Sequence, residues 1–341
     1  MFGIALGVRH ALYDWGILRS HTFDFPVICV GNLAVGGTGK TPHTLLIANI
    51  LQKENIEFAI LSRGYKRKSK GFRYVENTAS ATEVGDEPLL IKRNVSSAVV
   101  AVCKDRIRAI RRIKQEHPEV RVIVLDDALQ YRKLNAGLSV LLTPYNRLMT
   151  RDTLLPAGRL RDLSSRRYKS DIVIATQCPE ALQPIDFNVL QKDLKLYPYQ
   201  QLYCTRYLYP VPVSLATGKE VVLQKNSSVI GLAGIAHPQP FLDYLKKSYT
   251  LAHSFVFADH HHFAGKDVRK IRMALQQRPD SRIITTEKDA VRLLDCGLHD
   301  DELQRIVYQP IRIQFLKDEQ VNFSQNILYY VRANKKISLF C

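Results

Sequence analysis

The sequence predicts an α/β protein: a three-layer domain built around a phosphate-binding loop, followed by a second α/β domain. Three observations predict it. Short apolar runs alternate with helical patterns along the chain. One Gly-rich segment, residues 34–41, lies between such a run and such a helix. A second apolar run, residues 122–125, ends in Asp126-Asp127. Strands alternating with helices pair in parallel through right-handed crossovers.

Bulk properties set the limits. With 341 residues, 46% of them hydrophobic and 24% charged, the chain can bury a core and is not a disordered one. A formal net charge of +17 points to an anionic partner: nucleic acid, an acidic membrane or a phosphorylated substrate. The six cysteines, at 29, 103, 178, 204, 296 and 341, form no CxxC pair. Reduced, mostly buried thiols and a cytosolic compartment are expected.

Residues 2–18 form a short apolar helix candidate. Ile4, Val8, Leu12, Trp15 and Leu18 fall near one face, with Arg9, His10 and Asp14 interspersed. Two readings stay open: a helix packed on its own domain, or one lying in a membrane interface. No stretch reaches the roughly 18 apolar residues that span a bilayer. No small-residue cleavage site follows the apolar stretch, so a signal peptide is not expected.

Residues 26–31 read as a buried strand entering the Gly-rich loop, and residues 42–53 as the helix leaving it, with Pro42 in the first turn. Between them lie Ala34, Val35, Gly36, Gly37, Thr38, Gly39, Lys40 and Thr41. The context is that of a P-loop, and the domain is of the P-loop NTPase type. Glycines let the backbone wrap an anion, and the helix N-terminus adds its positive end. Lys40 can neutralise the β- and γ-phosphates, and the Thr41 hydroxyl can ligate Mg²⁺. Ala34 stands where the pattern has its first Gly. A methyl group is tolerated there if φ stays negative.

Strands are expected at 58–61, 99–102, 122–125 and 138–142, with a helix over 105–115. The carboxylates of Asp126 and Asp127 close the 122–125 strand in the Walker B manner, beside the phosphate site. One of the two would hold the metal, and its neighbour would point elsewhere. The second half repeats the grammar, with strands at 171–176, 228–231 and 282–285 and helices at 241–247 and 267–277. Pro144, Tyr145 and Asn146 break the pattern. The boundary is placed there, giving domains 1–143 and 144–341.

Several short motifs, read in order, resemble one family. They are Val30-Gly-Asn-Leu-Ala-Val-Gly-Gly-Thr-Gly-Lys-Thr-Pro42, Ser62-Arg-Gly-Tyr65, Val84-Gly-Asp-Glu-Pro88, Asp126-Asp-Ala-Leu-Gln130 and Leu155-Pro-Ala-Gly-Arg-Leu-Arg161. Gly234-Ile-Ala-His-Pro238, Asp259-His260 and Thr285-Thr-Glu-Lys-Asp-Ala290 follow. The set resembles the tetraacyldisaccharide 4'-kinases. The resemblance implies two α/β domains joined by a hinge, the second smaller. It implies transfer of the γ-phosphate of ATP to the 4'-hydroxyl of the tetraacylated glucosamine disaccharide 1-phosphate precursor of lipid A. It places the chain peripherally on the cytoplasmic face of the bacterial inner membrane, with ATP and Mg²⁺ as cofactors and no nucleic-acid partner.

Residue by residue, the resemblance makes Asp86 and His260 catalytic, a carboxylate accepting the hydroxyl proton and an imidazole tuning it. Read without it, Asp86 is a helix N-cap. Arg106 matches a basic position that would stabilise charge on the transferring phosphoryl group. Asp162 stands where the family pattern Leu-Pro-Ala-Gly-x-Leu-Arg-Glu has Glu. Residues 259–262, Asp-His-His-His, invite a metal reading, but adjacent side chains rarely face one ion. The basic loop at 63–73 could grip acidic headgroups or a substrate phosphate. A competing class, a P-loop GTPase or ATPase switch, would read guanine with an Asn/Thr-Lys-x-Asp motif. Thr286-Glu-Lys-Asp289 superficially resembles it.

Overall fold

The computed structural model describes residues 2–333. In chain order come α1 (Phe2–Asp14), β1 (Val27–Asn32), α2 (Lys40–Lys53), β2 (Phe58–Ser62), β3 (Arg73–Tyr74), α3 (Ala81–Val84), α4 (Asp86–Asn94), β4 (Val99–Val102), α5 (Arg106–Glu116), β5 (Val122–Asp126) and β6 (Leu138–Pro144). A 3₁₀ turn (Ser164–Lys169) precedes β7 (Ile172–Thr176), α6 (Pro184–Leu194) and β8 (Gln201–Leu208). Then follow β9 (Val213–Ser214), β10 (Ser228–Ala233), α7 (Gln239–Ser248), β11 (Thr250–Val256), α8 (Gly265–Gln277), β12 (Arg282–Thr286), α9 (Glu287–Leu293), α10 (Asp300–Gln304) and β13 (Ile306–Gln309). The described chain ends with β14 (Arg312–Phe315) and α11 (Gln320–Ala333).

Two sheets organise these elements. The first has nine strands in the order β14-β8-β7-β6-β1-β5-β2-β4-β3, and the second has five, β11-β10-β12-β13-β9. Inner pairs are parallel, and among the described strands of the two sheets the antiparallel pairs are those of β3, β14 and β9 at the edges. Alternate residues of β1 enter cores on opposite faces: Ile28 and Val30 pack on one side, Val27 and Cys29 on the other. A sheet covered on both faces has strands that are apolar throughout, which is why the short apolar runs were legible. Four of the cysteines are buried, Cys296 is half-buried, and all five are unpaired. Cys341 lies outside the described residues.

The sheet order moves the expected boundary. The break at 143–150 falls between β6 and β7, which pair in parallel from Val140↔Ile172 to Pro144↔Thr176. Residues 172–176 and 201–208 therefore extend the first sheet instead of opening the second. The second sheet occupies 213–309, and the chain then returns to pair β14 with β8. The physical reason is that Pro144, Tyr145 and Asn146 start a long surface excursion, not a linker. It rejoins the sheet through Tyr145 N–H to Thr176 O, 2.8 Å. Strand pairing over such separations leaves no local sequence signal.

The returning helix seals this arrangement. Phe323 on α11 is fully buried, with its ring 5.0 Å from Phe315 and 5.4 Å from Tyr203. Phe323→Ala opens a cavity between the C-terminal return and the first sheet. It is expected to lower unfolding free energy by about 3–5 kcal/mol, measured by denaturant titration. Were α11 a peripheral appendage, the loss would stay below about 1 kcal/mol.

Candidate active site

The P-loop leaves β1 and turns into α2. Gly36 and Gly39 hold φ of 104° and 87°, conformations that side-chain-bearing residues avoid. A Cβ at Gly39 would also lie 2.7 Å from the Tyr207 hydroxyl. Ala34 is not among the described residues with positive φ. It bridges antiparallel to Leu160, so its methyl group is accommodated. The loop is braced from inside: Asn32 Nδ2 donates to Thr38 Oγ1 at 2.7 Å, and Val35 N–H donates to Arg159 O at 2.8 Å. Behind it, His43 is buried and held neutral, its pKa lowered to about 4 by desolvation. Its Nδ1–H donates to Gly39 O at 2.8 Å.

The loop opens onto a cleft of about 690 Å³ between the two sheets. Residues 34–41, Arg106, Asp127 and Arg161 line it from the first sheet, and His237, Asp259, His260 and Lys288 from the second. Strand β5 runs beside β1 with Val30 opposite Asp126. The two carboxylates then diverge. Asp126 is fully buried, accepts from Thr44 Oγ1 at 3.1 Å, and is pushed upward in pKa by desolvation. Asp127, at φ 54°, turns into the cleft. It takes Arg161 Nη1 at 3.0 Å and lies 3.8 Å from Lys40 Nζ. Burial opposes its ionisation, but Lys40 and Arg161 hold it below the usual carboxylate range.

Asp86 opens α4, behind Gly85, and is buried. It is not the N-cap, which is Gly85. Its Oδ1 accepts from Glu87 N–H at 3.1 Å, and its Oδ2 accepts His260 Nδ1–H at 2.9 Å. Asp86 and His260 come from different sheets, so this bond closes the cleft. The imidazole lines the cleft, whereas Asp86 lies behind it. Burial would raise Asp86, yet the His260 hydrogen bond with the Lys288 and Arg292 charges holds it well below the usual range.

Arg106 is buried at the cleft wall. Its Nη1 donates to Cys103 O and Lys104 O at 3.2 and 3.0 Å, while its Nε finds no partner. Asp162 is turned away: its Oδ1 meets His10 Nε2 of α1 at 2.5 Å. His261 pairs with Asp267 at 2.9 Å, so adjacent histidines do diverge. Among the described residues no cluster of three His, Cys, Asp or Glu side chains could hold a metal. In the basic loop, Arg67 donates to Val102 O and Arg73 pairs with Glu83, while Arg63 and Tyr65 line the cleft.

One charged side chain at the cleft escaped the sequence reading. Lys288 sits 3.0 Å from Glu87, 3.9 Å from Asp86, 3.9 Å from Asp259 and 3.4 Å from His260 Nε2. Its motif invited comparison with a guanine-reading one, and the geometry removes that reading. Asp289 is fully buried, accepts from Gly234 N–H and Thr286 Oγ1, and pairs with Arg292. It holds α9 in place and faces no base. The signal that could have found Lys288 is the excess of acid at Asp86, Glu87 and Asp259, which demands a cation.

Comparison with known proteins decides the family. The profile of the tetraacyldisaccharide-1-P 4'-kinases matches residues 1–330. The chain belongs to this family. A tetraacyldisaccharide 4'-kinase of Bacteroides thetaiotaomicron is 42% identical over 355 residues, covering 100% of this chain and 93% of that one. One of Flavobacterium johnsoniae is 39% identical, covering 98% and 95%. A crystal structure of LpxK from Aquifex aeolicus in complex with ATP aligns with a TM-score of 0.75 at 26% identity, over 97% of this chain and 96% of that one.

In this chain a cation lining the cleft, Lys288, stands beside the Asp86–His260 pair. Removing the Lys288 charge removes one cause of the low Asp86 pKa, so Asp86 would protonate at higher pH. Lys288→Met is expected to move the acidic limb of the pH–rate profile upward, with Lys288→Arg close to wild type. An unmoved limb in Lys288→Met would show the lysine to be structural only.

Proposed function

We propose that the chain transfers the γ-phosphate of ATP to the 4'-hydroxyl of a tetraacylated glucosamine disaccharide 1-phosphate, working at the cytoplasmic face of the inner membrane. The observation that carries this reading is the 2.9 Å Asp86–His260 bond, formed across the same cleft that the P-loop lines. ATP as donor is supported by the family and by the ATP complex of the structural relative.

The residues divide the work as follows. Backbone N–H groups of 36–41 and the N-terminus of α2 cradle the phosphates, and Lys40 neutralises them. Arg161 keeps Asp127 ionised and oriented, and Arg106 offers its unpartnered Nε–H toward developing negative charge. Ionised Asp86 accepts Nδ1–H of His260, which fixes the tautomer and leaves Nε2 to take the sugar hydroxyl proton during in-line attack. Tyr65, with its ring 5.3 Å from that of His260, flanks the imidazole.

The donor set at the phosphate end fits Mg²⁺. Thr41 and Asp127 present hard oxygen atoms to the cleft, the chemistry this ion prefers. Bound there, Mg²⁺ would draw charge from the β- and γ-phosphate oxygens. Asp126, sealed against Thr44, is the carboxylate that points elsewhere.

Membrane contact is assigned to α1. Among the described residues no helix is long and apolar enough to cross a bilayer. Phe2, Ile4, Val8, Trp15, Ile17 and Leu18 are nonetheless exposed on α1 and just beyond it, beside Arg9 and Arg19. That pattern suits a helix lying in the headgroup layer.

Labelled ATP, Mg²⁺ and detergent-dispersed acceptor lipid test the reading. Label is expected on the lipid, with Lys40→Ala, Asp86→Asn and His260→Asn each lowering kcat by roughly 10²–10⁴. Because the pair acts as one unit, Asp86→Asn/His260→Asn should lose little more than either single variant. Lipid-independent turnover with preference for GTP would replace this reading with the switch class.

A further inference from the structure

We propose that the outer face of α6 and the loop at 195–200 join α1 in one continuous surface that docks on an anionic lipid bilayer. The proposal rests on the membrane contact assigned to α1 and extends it to a segment about 180 residues away in sequence.

Helix α6 carries two apolar stripes. Leu190 and Leu194 are buried in the core below. Ile185 and Val189, one turn apart on another face, are 65% and 48% exposed. Just beyond the helix, Tyr197 and Tyr199 stack with ring centroids 5.7 Å apart, and both are exposed. A stripe of this kind on one helix could be incidental. Its position beside the lipid-facing α1 argues otherwise.

Contacts through the segment between β6 and β7 tie the two helices together. At the C-terminal end of α1, Asp14 Oδ2 accepts from the Tyr168 hydroxyl at 3.0 Å, and Tyr168 O in turn accepts from the Tyr199 hydroxyl. Near its N-terminal end, Gly3 packs against Leu154, which joins the same core as Leu190 and Leu194. Residues 148–169 thus bridge α1 and α6, with Arg151 paired to Asp193 on α6. Exposed Trp15 and exposed Tyr199 flank this Asp14–Tyr168–Tyr199 chain of contacts.

Charge selects the occupant. Arg167, Lys169, Lys192 and Lys195 are on or beside this face, and Lys169 is about half exposed. Two of the acids there are paired: Asp14 faces Arg132, Arg166 and Lys169, and Asp193 faces Arg151, while Asp186 keeps its charge and caps α6 by accepting Gln183 N–H at 3.0 Å. Exposed aliphatics, ring-stacked tyrosines and a tryptophan with a net basic rim match the headgroup layer of an anionic bilayer. Each added Lys or Arg near such a surface strengthens binding roughly fivefold.

The test uses the full chain and sedimentation with vesicles of phosphatidylglycerol and phosphatidylcholine, against phosphatidylcholine alone. Two variant pairs address the new patch: Ile185→Ser/Val189→Ser and Tyr197→Ser/Lys192→Glu. Ile4→Ser/Val8→Ser addresses α1. Each pair is expected to weaken binding to the anionic vesicles roughly tenfold with circular dichroism unchanged, and the two patch pairs are expected to keep phosphorylation of detergent-dispersed acceptor at wild-type levels. Loss confined to the α1 pair would overturn the proposal. So would a concentration-dependent dimer that both patch variants abolish, since the face would then belong to a second copy. Vesicle binding that needs the patch, without lipid phosphorylation, would sink the kinase reading and leave this surface standing.

Discussion

The site depends on placing one carboxylate where two sheets meet. Asp86 begins α4 in the first body, and its 2.9 Å bond to His260 reaches a loop of the second. A buried carboxylate is stable only when its charge is answered. Here the answer comes from the far side: His260, Lys288 and Arg292 all belong to residues 257–293. Those three groups of the second body are what keep Asp86 ionised in spite of its burial. Chemistry and closure share one electrostatic requirement.

That requirement explains why the second body is built as it is. Thr286 caps α9 by accepting Asp289 N–H at 3.1 Å, and Asp289 also receives Gly234 N–H from the end of β10. Arg292 is fixed from two sides, by Asp289 and by the carbonyls of His261 and Gly234. The loop carrying His260 is thus locked to the helix carrying Lys288. Both present themselves to α4 as one unit. Across the cleft the P-loop is also touched by the second body, since a Cβ at Gly36 would stand 3.1 Å from His237 Nε2. His237 is in turn 2.7 Å from Arg159.

Much of the first body was legible because its determinants are local. The Gly-rich turn, the apolar run before it and the Lys-Thr pair after it each follow from backbone rules within ten residues. The Asp126-Asp127 edge was legible as a pair. Its division into a sealed and an open carboxylate needed the positive φ at Asp127 and the partners Thr44 and Arg161. Long-range pairing was not legible. Nothing local in residues 201–208 says that they extend the first sheet, and nothing in 312–315 says that the chain comes back to them. Lys288 was missed for a similar reason. Its role is set by three acids 29 to 202 positions away, whereas its immediate neighbours imitate an unrelated motif.

The segment at 159–162 shows how the parts are coupled. Arg161 and Asp162 are adjacent, and their side chains leave in opposite directions. Arg161 reaches Asp127 and Asn32 Oδ1 at the phosphate end of the cleft. Asp162 grips His10, the buried residue of α1. Burial lowers the His10 pKa, so the contact is a hydrogen bond from a neutral ring more than an ion pair, and Arg132 takes the other ring nitrogen at 3.2 Å. Arg9 adds a bond to Gln130 O, in the same loop as Asp127. A helix with exposed apolar residues on its outer side is therefore fastened on its inner side to the two loops that shape the phosphate site. The shorter Asp162 fits this geometry, because its task is to reach a helix packed directly against it and not the cleft. Displacement of α1 would be felt first at Arg161, and through it at the carboxylate beside Lys40.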